Sequence, residues 1–172
     1  MSTGFRVAAL PPDELERIRA LGVDDFGNPL EPGTVTGPGT PLRCCLRDAE
    51  PGERVILLAW RPAAVGGPYA EVGPVFVHAE ACPGYADEDR YPEGFRSRQQ
   101  LLRAYDVRGW QVENVVVDGP AAERAITDLL GRPGVAYLHS RNVLAGCYMF
   151  AVHHPASDRA DARTGSSTLN GS

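Results

Sequence analysis

The side chains best suited to chemistry are four cysteines, Cys44, Cys45, Cys82 and Cys147, and two of the four histidines, His78 and His139. Thiolate sulfur and imidazole nitrogen are zinc ligands, and together they also make a nucleophile with its base. Spacing argues against the first use, because no C-x-x-C pair and no H-E-x-x-H occur. Successive residues on a strand point to opposite faces, so a strand through Cys44 and Cys45 would keep their sulfurs off one ion. The sequence therefore assigns no metal and no cofactor. For the second use the catalytic candidates are Cys45 and Cys147 as thiolate, with His139 as general base. Arg43, Cys45 and Arg47 would share a strand face, and flanking guanidiniums favour the thiolate.

A different chemistry is suggested by the closing strand. By alternation Val135, Tyr137, His139 and Arg141 share one face, which would run from an apolar floor to a polar rim. Arg43, Tyr69, His78, Tyr105, His139 and Arg141 are then candidates to bind a small polar or anionic ligand. Arginine recognises carboxylate or phosphate through paired hydrogen bonds, and tyrosine supplies a flat wall with a polar tip. A third use is a partner surface carrying Trp60, Trp110 and the acidic loop Asp87-Glu88-Asp89. Small-ligand binding is the first reading, a thiol or metal enzyme the second and an interaction scaffold the third. Whether the chain is an enzyme, and how it oligomerises, stay open.

Several classes are excluded. All 17 basic residues among the 172 are arginine, so no lysine can serve a phosphate loop, a kinase strand or a Schiff base. No G-x-S-x-G elbow and no G-x-G-x-x-G occurs. A net charge of -5 argues against nucleic acid as a partner. No apolar run approaches the roughly 18 residues of a membrane span, and no signal-peptide core opens the chain. With four thiols taken as reduced, the expected location is the cytoplasm.

The elements that must position these groups follow from pattern. Val7 to Leu10 reads as a strand. Pro11 and Pro12 lead into Asp13 through Gly22, which reads as an amphipathic helix with proline at its start, acids in the first turn and a terminal glycine. Residues 27 to 41 read as a long loop. Leu42–Arg47 and Arg54–Trp60 flank Pro51-Gly52 and read as a hairpin. Pro74–His78 is a short strand, and Leu101–Val107 with Trp110–Val117 a second hairpin. A second helix runs from Gly119-Pro120 to Leu130, with Ala122, Ile126, Leu129 and Leu130 on its buried side. A last strand pair covers 135–141 and 144–153. The expected fold is a single α+β domain over 1–154, an antiparallel or mixed sheet of hairpins with two packed helices. A polar tail over 155–172 is expected to be disordered.

Several short motifs agree with one family. Leu42-Arg43-Cys44-Cys45-Leu46-Arg47-Asp48-Ala49 with Pro51-Gly52-Glu53 resembles the opening signature of the bacterial domain-of-unknown-function 1203 family. Pro68-Tyr69, Gly73-Pro74-Val75-Phe76-Val77-His78, Arg103-Ala104-Tyr105-Asp106, His139 and Gly146-Cys147-Tyr148 continue it in order. The resemblance implies a bacterial single-domain protein and carries no activity.

Overall fold

The computed structural model describes residues 4–62 and 66–155. Among these residues ten strands form two five-stranded sheets, and two helices pack on them. The α+β class read from the sequence is the observed one, with the strands divided between two sheets. The tail expected beyond Pro155 lies outside the described residues.

The first sheet has the order β1-β10-β9-β7-β8, antiparallel throughout. Its strands are β1 (Arg6–Ala8), β7 (Gln99–Tyr105), β8 (Gln111–Asp118), β9 (Tyr137–Asn142) and β10 (Tyr148–His153). β7 and β8 form the expected hairpin. Its turn is set by Asp106, whose carboxylate accepts from the backbone N–H of Arg108 and of Trp110. Helix α2 (Ala122–Leu130) follows β8 through a 3-10 turn at Gly119–Ala121. Ala122, Ile126, Leu129 and Leu130 are buried, as their helical spacing requires. They join Leu102, Leu138, Phe150 and Val152 in one apolar core.

The second sheet has the order β2-β5-β6-β3-β4. It comprises β2 (Gly33–Thr34), β3 (Pro41–Leu42), β4 (Arg47–Asp48), β5 (Arg54–Trp60) and β6 (Gly73–His78). β5 lies inside the sheet between β2 and β6, as a strand apolar on both sides should. Helix α1 (Pro12–Leu21) ends at Gly22, whose left-handed backbone (φ 71°) lets its N–H reach the carbonyls of Ile18 and Arg19. Leu15 and Ile18 of α1 pack with Ile56, Leu58 and Val77 in a second core, which Tyr148 and Ala151 of the first sheet complete.

One expected pairing is not formed. Residues 42–47 do not make a hairpin with β5. Instead β3 pairs with β4, β3 lies parallel to β6, and β5 pairs with β2 and β6. The cause is a tight turn over Arg43–Leu46, in which Leu46 donates its N–H to the carbonyl of Leu42 at 3.0 Å. Leu46 takes a left-handed backbone, φ 56°, which no glycine or asparagine advertises in the sequence. The two cysteines therefore lie on a turn and not on a strand. Among the described residues no helix is long and apolar enough to cross a membrane.

Candidate metal centre

The turn changes where the thiols point. On a turn the alternation of a strand is lost, and Cys44 Sγ and Cys45 Sγ come to 4.0 Å of each other. The expectation that they face opposite ways is corrected by this geometry. The parallel pairing of β3 with β6, together with the Arg43 N–H on the Phe76 carbonyl, brings the end of β6 beside the turn. His78 closes β6, and its Nδ1 lies 3.5 Å from Cys44 Sγ and 3.9 Å from Cys45 Sγ. Its backbone N–H points at Cys44 Sγ, 3.4 Å away. Four residues on, Cys82 returns to the same spot. Gly84 then takes φ +86°, where an added Cβ would sit 3.1 Å from Pro12 Cγ. The ligand atoms of Cys44, Cys45, His78 and Cys82 all lie within 4.8 Å of one another.

These separations have a meaning. Zinc bonds of about 2.3 Å to sulfur and about 2.05 Å to nitrogen imply tetrahedral edges near 3.8 Å for S···S and near 3.6 Å for S···N. The S···N separations of 3.5 and 3.9 Å bracket the second edge, and the S···S separation of 4.0 Å is slightly longer than the first.

The imidazole is also held as a ligand needs. His78 Nε2 lies 3.1 Å from Glu53 Oε1, an acceptor, so Nε2 carries the proton and Nδ1 presents its lone pair to the sulfurs. Arg47 also approaches Nε2, at 3.4 Å. The shorter carboxylate contact sets the tautomer, and Arg47 has better partners. Its Nη1 and Nη2 donate to the two oxygens of Glu53 at 2.8 and 2.7 Å. That pair, aided by the Glu50 N–H at 2.6 Å, holds the Glu53 carboxyl well below the usual carboxylate range. From the other side Arg19 of α1 donates Nε and Nη2 to the His78 carbonyl at 3.2 and 2.9 Å.

The three thiols differ. The hydrogen bond from Cys44 to Cys45 raises the first thiol, with burial adding to it, and lowers the second. Arg47 further favours the Cys45 thiolate. Burial pushes Cys82 up. A cation among them would supply the charge that makes all three thiolates.

The family model described as "Protein of unknown function (DUF1203)" matches residues 39–154. The chain belongs to the DUF1203 family. No curated protein and no solved structure matches it. All four residues of the cluster, with Arg47 and Glu53, fall within the matched DUF1203 span; α1 and its Arg19 precede it.

The remaining candidates lie elsewhere in the DUF1203 fold. Tyr105, His139 and Arg141 share one face of the first sheet, where β7 and β9 set Arg103 opposite His139. His139 and Arg141 are not at a rim: both are buried, because the rings of Tyr105, Tyr137 and Tyr148 pack 4.9 to 5.4 Å from the imidazole. Burial, with Arg141 nearby, lowers the His139 pKa to about 3. Arg43 is buried beneath, donating to the carbonyls of Tyr148 and Pro41 and to Cys147 Sγ at 3.1 Å. Tyr69 packs edge-on against Trp110. Thus the imidazole beside Cys45 is His78, and it is the Arg43 guanidinium that donates to Cys147 Sγ. Glu53, Glu71 and Arg103 are the functional candidates that residue type and spacing did not single out. Glu53 lies in the Pro51-Gly52-Glu53 motif, the one signal that could have drawn it in.

Proposed function

We propose that this protein binds a soft divalent cation, zinc being the prime case, through Cys44, Cys45, Cys82 and His78 Nδ1. The observation that carries the reading is the closeness of three separations, Cys44 Sγ to Cys45 Sγ and His78 Nδ1 to each of them, to the edges of a zinc tetrahedron. The Glu53–His78 contact supports it independently, since carboxylate-held imidazole is the usual outer arrangement of a zinc histidine. Four protein ligands would close the coordination sphere, which is the pattern of a structural centre. The turn between β3 and β4 would then be tied to the end of β6 and to the segment that follows it.

The test is titration of reduced, chelator-treated protein with Co2+ as a coloured substitute, followed by Zn2+ competition. One equivalent giving thiolate-to-cobalt absorption with tetrahedral character, displaced by Zn2+, is expected. Cys82→Ser should lower affinity at least tenfold, a step of about 1.4 kcal/mol. A spectrum lacking thiolate charge transfer sinks the reading.

A second reading has one observation behind it. Cys45, His78 and Glu53 follow one another in contact, at 3.9 and 3.1 Å, as thiol, imidazole and carboxylate do in nucleophilic catalysis. Iodoacetamide separates the two: a nucleophile is alkylated singly at Cys45 in the presence of Zn2+, whereas a zinc centre protects all three thiols.

A further inference from the structure

We propose that Arg103 and Arg141 form a second site, for a small organic carboxylate or a phosphate, and that Glu71 is its intramolecular occupant. The site stands on the first sheet and does not depend on the thiol cluster. Register builds it: Arg103 of β7 lies opposite His139 of β9, and Arg141 follows two residues on, so all three project from one face. Glu71 arrives from the segment between the 3-10 turn Gly67–Tyr69 and β6. One carboxylate oxygen accepts from Arg103 Nη1 at 3.2 Å, and the other pairs with Arg141 Nη2.

The two partners of this ion pair are unequally placed. The Arg141 side chain is only 7% exposed, while that of Glu71 is 47% exposed. The cation is thus fixed in the fold, and its counter-ion rides on an exposed segment outside helix and strand. A buried guanidinium without an anion is costly, so some carboxylate or phosphate must stay there. Glu71 meets that need incompletely. Arg141 Nη1 donates to the Gly146 carbonyl at 3.1 Å, yet buried Nε has no partner among the described residues. Nε and Nη2 share one edge of the guanidinium, the edge on which a carboxylate or phosphate binds with two parallel hydrogen bonds. His139 Nδ1, on the same sheet face, is likewise buried and without a partner among the described residues. An incoming anion seated on the Nε–Nη2 edge satisfies an atom that Glu71 leaves unmet. Its release of Glu71 would free the segment that Tyr69 pins, edge-on, to Trp110 at 5.8 Å.

Isothermal titration with inorganic phosphate and with succinate, on wild type, Glu71→Gln and Glu71→Gln/Arg103→Gln, tests this. Arg103 is chosen over Arg141 because its side chain is more exposed and its loss threatens folding less. Saturable binding of one probe to wild type is expected, tightened on the order of tenfold in Glu71→Gln because the competing occupant is gone. The double variant should lose that gain. Preference for succinate assigns a carboxylate ligand, and preference for phosphate a phosphorylated one. No saturable binding by wild type, or equal affinity in wild type and Glu71→Gln, overturns the proposal. Thermal melting gives the second readout: Glu71→Gln should melt lower than wild type and recover with the bound probe. Failure to recover also overturns it.

Discussion

Glu53 touches none of the sulfurs, yet it fixes which nitrogen of His78 faces them. Its carboxylate accepts a hydrogen bond from Nε2–H at 3.1 Å and is itself clamped by Arg47. Glu53→Gln keeps the volume but can present an amide N–H to Nε2, which would move the imidazole proton to Nδ1 and block the ligand position. Loss of such an outer partner typically costs about 10- to 100-fold in metal affinity. Co2+ titration of Glu53→Gln should therefore show unchanged stoichiometry and weaker binding; unchanged affinity would relegate Glu53 to tying the turn. At this scale the residue types announced themselves and their grouping did not. Cysteine and histidine were evident as soft ligands, but the Cys44-Cys45 pair was read as a strand, where neighbours diverge. A non-glycine residue at positive φ, Leu46, makes the turn that brings them together. Nothing in local composition signals that conformation, because tertiary contacts and not propensity hold it.

At the level of elements, periodicity was a sufficient guide wherever a segment was long and paired with its sequence neighbour. Helix α2 buries the four residues its 3.6-residue period selects, and the β7–β8 hairpin closes on its Asp106 turn. The two-residue strands β2, β3 and β4 carry too few residues to show a period, and β3 finds its parallel partner 34 residues away in the Leu42↔Phe76 pairing. The junction of β8 and α2 supplies a sharp test. An added Cβ on Gly119 would lie 2.0 Å from the carbonyl oxygen of Arg96 and 2.5 Å from its Cα. Both are backbone atoms, so neither can swing aside. Gly119→Ala should cost about 3 kcal/mol, the upper end of ordinary overpacking, and lower the melting temperature by roughly 6–12 °C. Gly33→Ala, with open space around it, is the control and should melt near wild type. Equal melting of both variants would refute the close approach of Arg96.

Across the whole molecule, the first sheet has the α2 core on one face and meets the second core through Tyr148 and Ala151 of β10. His139 lies on that second face, directly opposite Ala151 and cross-strand from Arg103. Tyr105, Tyr137 and Tyr148 surround its ring, and Arg141, His153 and Arg103 add positive charge nearby. Burial first, and those charges after it, bring its pKa to about 3 against an ordinary 6.5. Between those values the unfolded chain takes up a proton that the folded chain refuses. Stability from this residue is therefore complete above pH 6.5 and declines as pH falls toward 3. At pH 5 the loss should be on the order of 2 kcal/mol, about 1.4 kcal/mol for each pH unit below 6.5. His139→Phe retains a ring among the tyrosines and has no proton to take up. Urea unfolding of both proteins at pH 7.5 and pH 5 should show wild type losing about 2 kcal/mol more than the variant over that interval. Equal losses would mean that water or an ion reaches the imidazole, and that the tyrosine box is open. The buried polar face of the first sheet would then be a cleft, and its arginines and histidine would be accessible to a ligand without any displacement of Glu71.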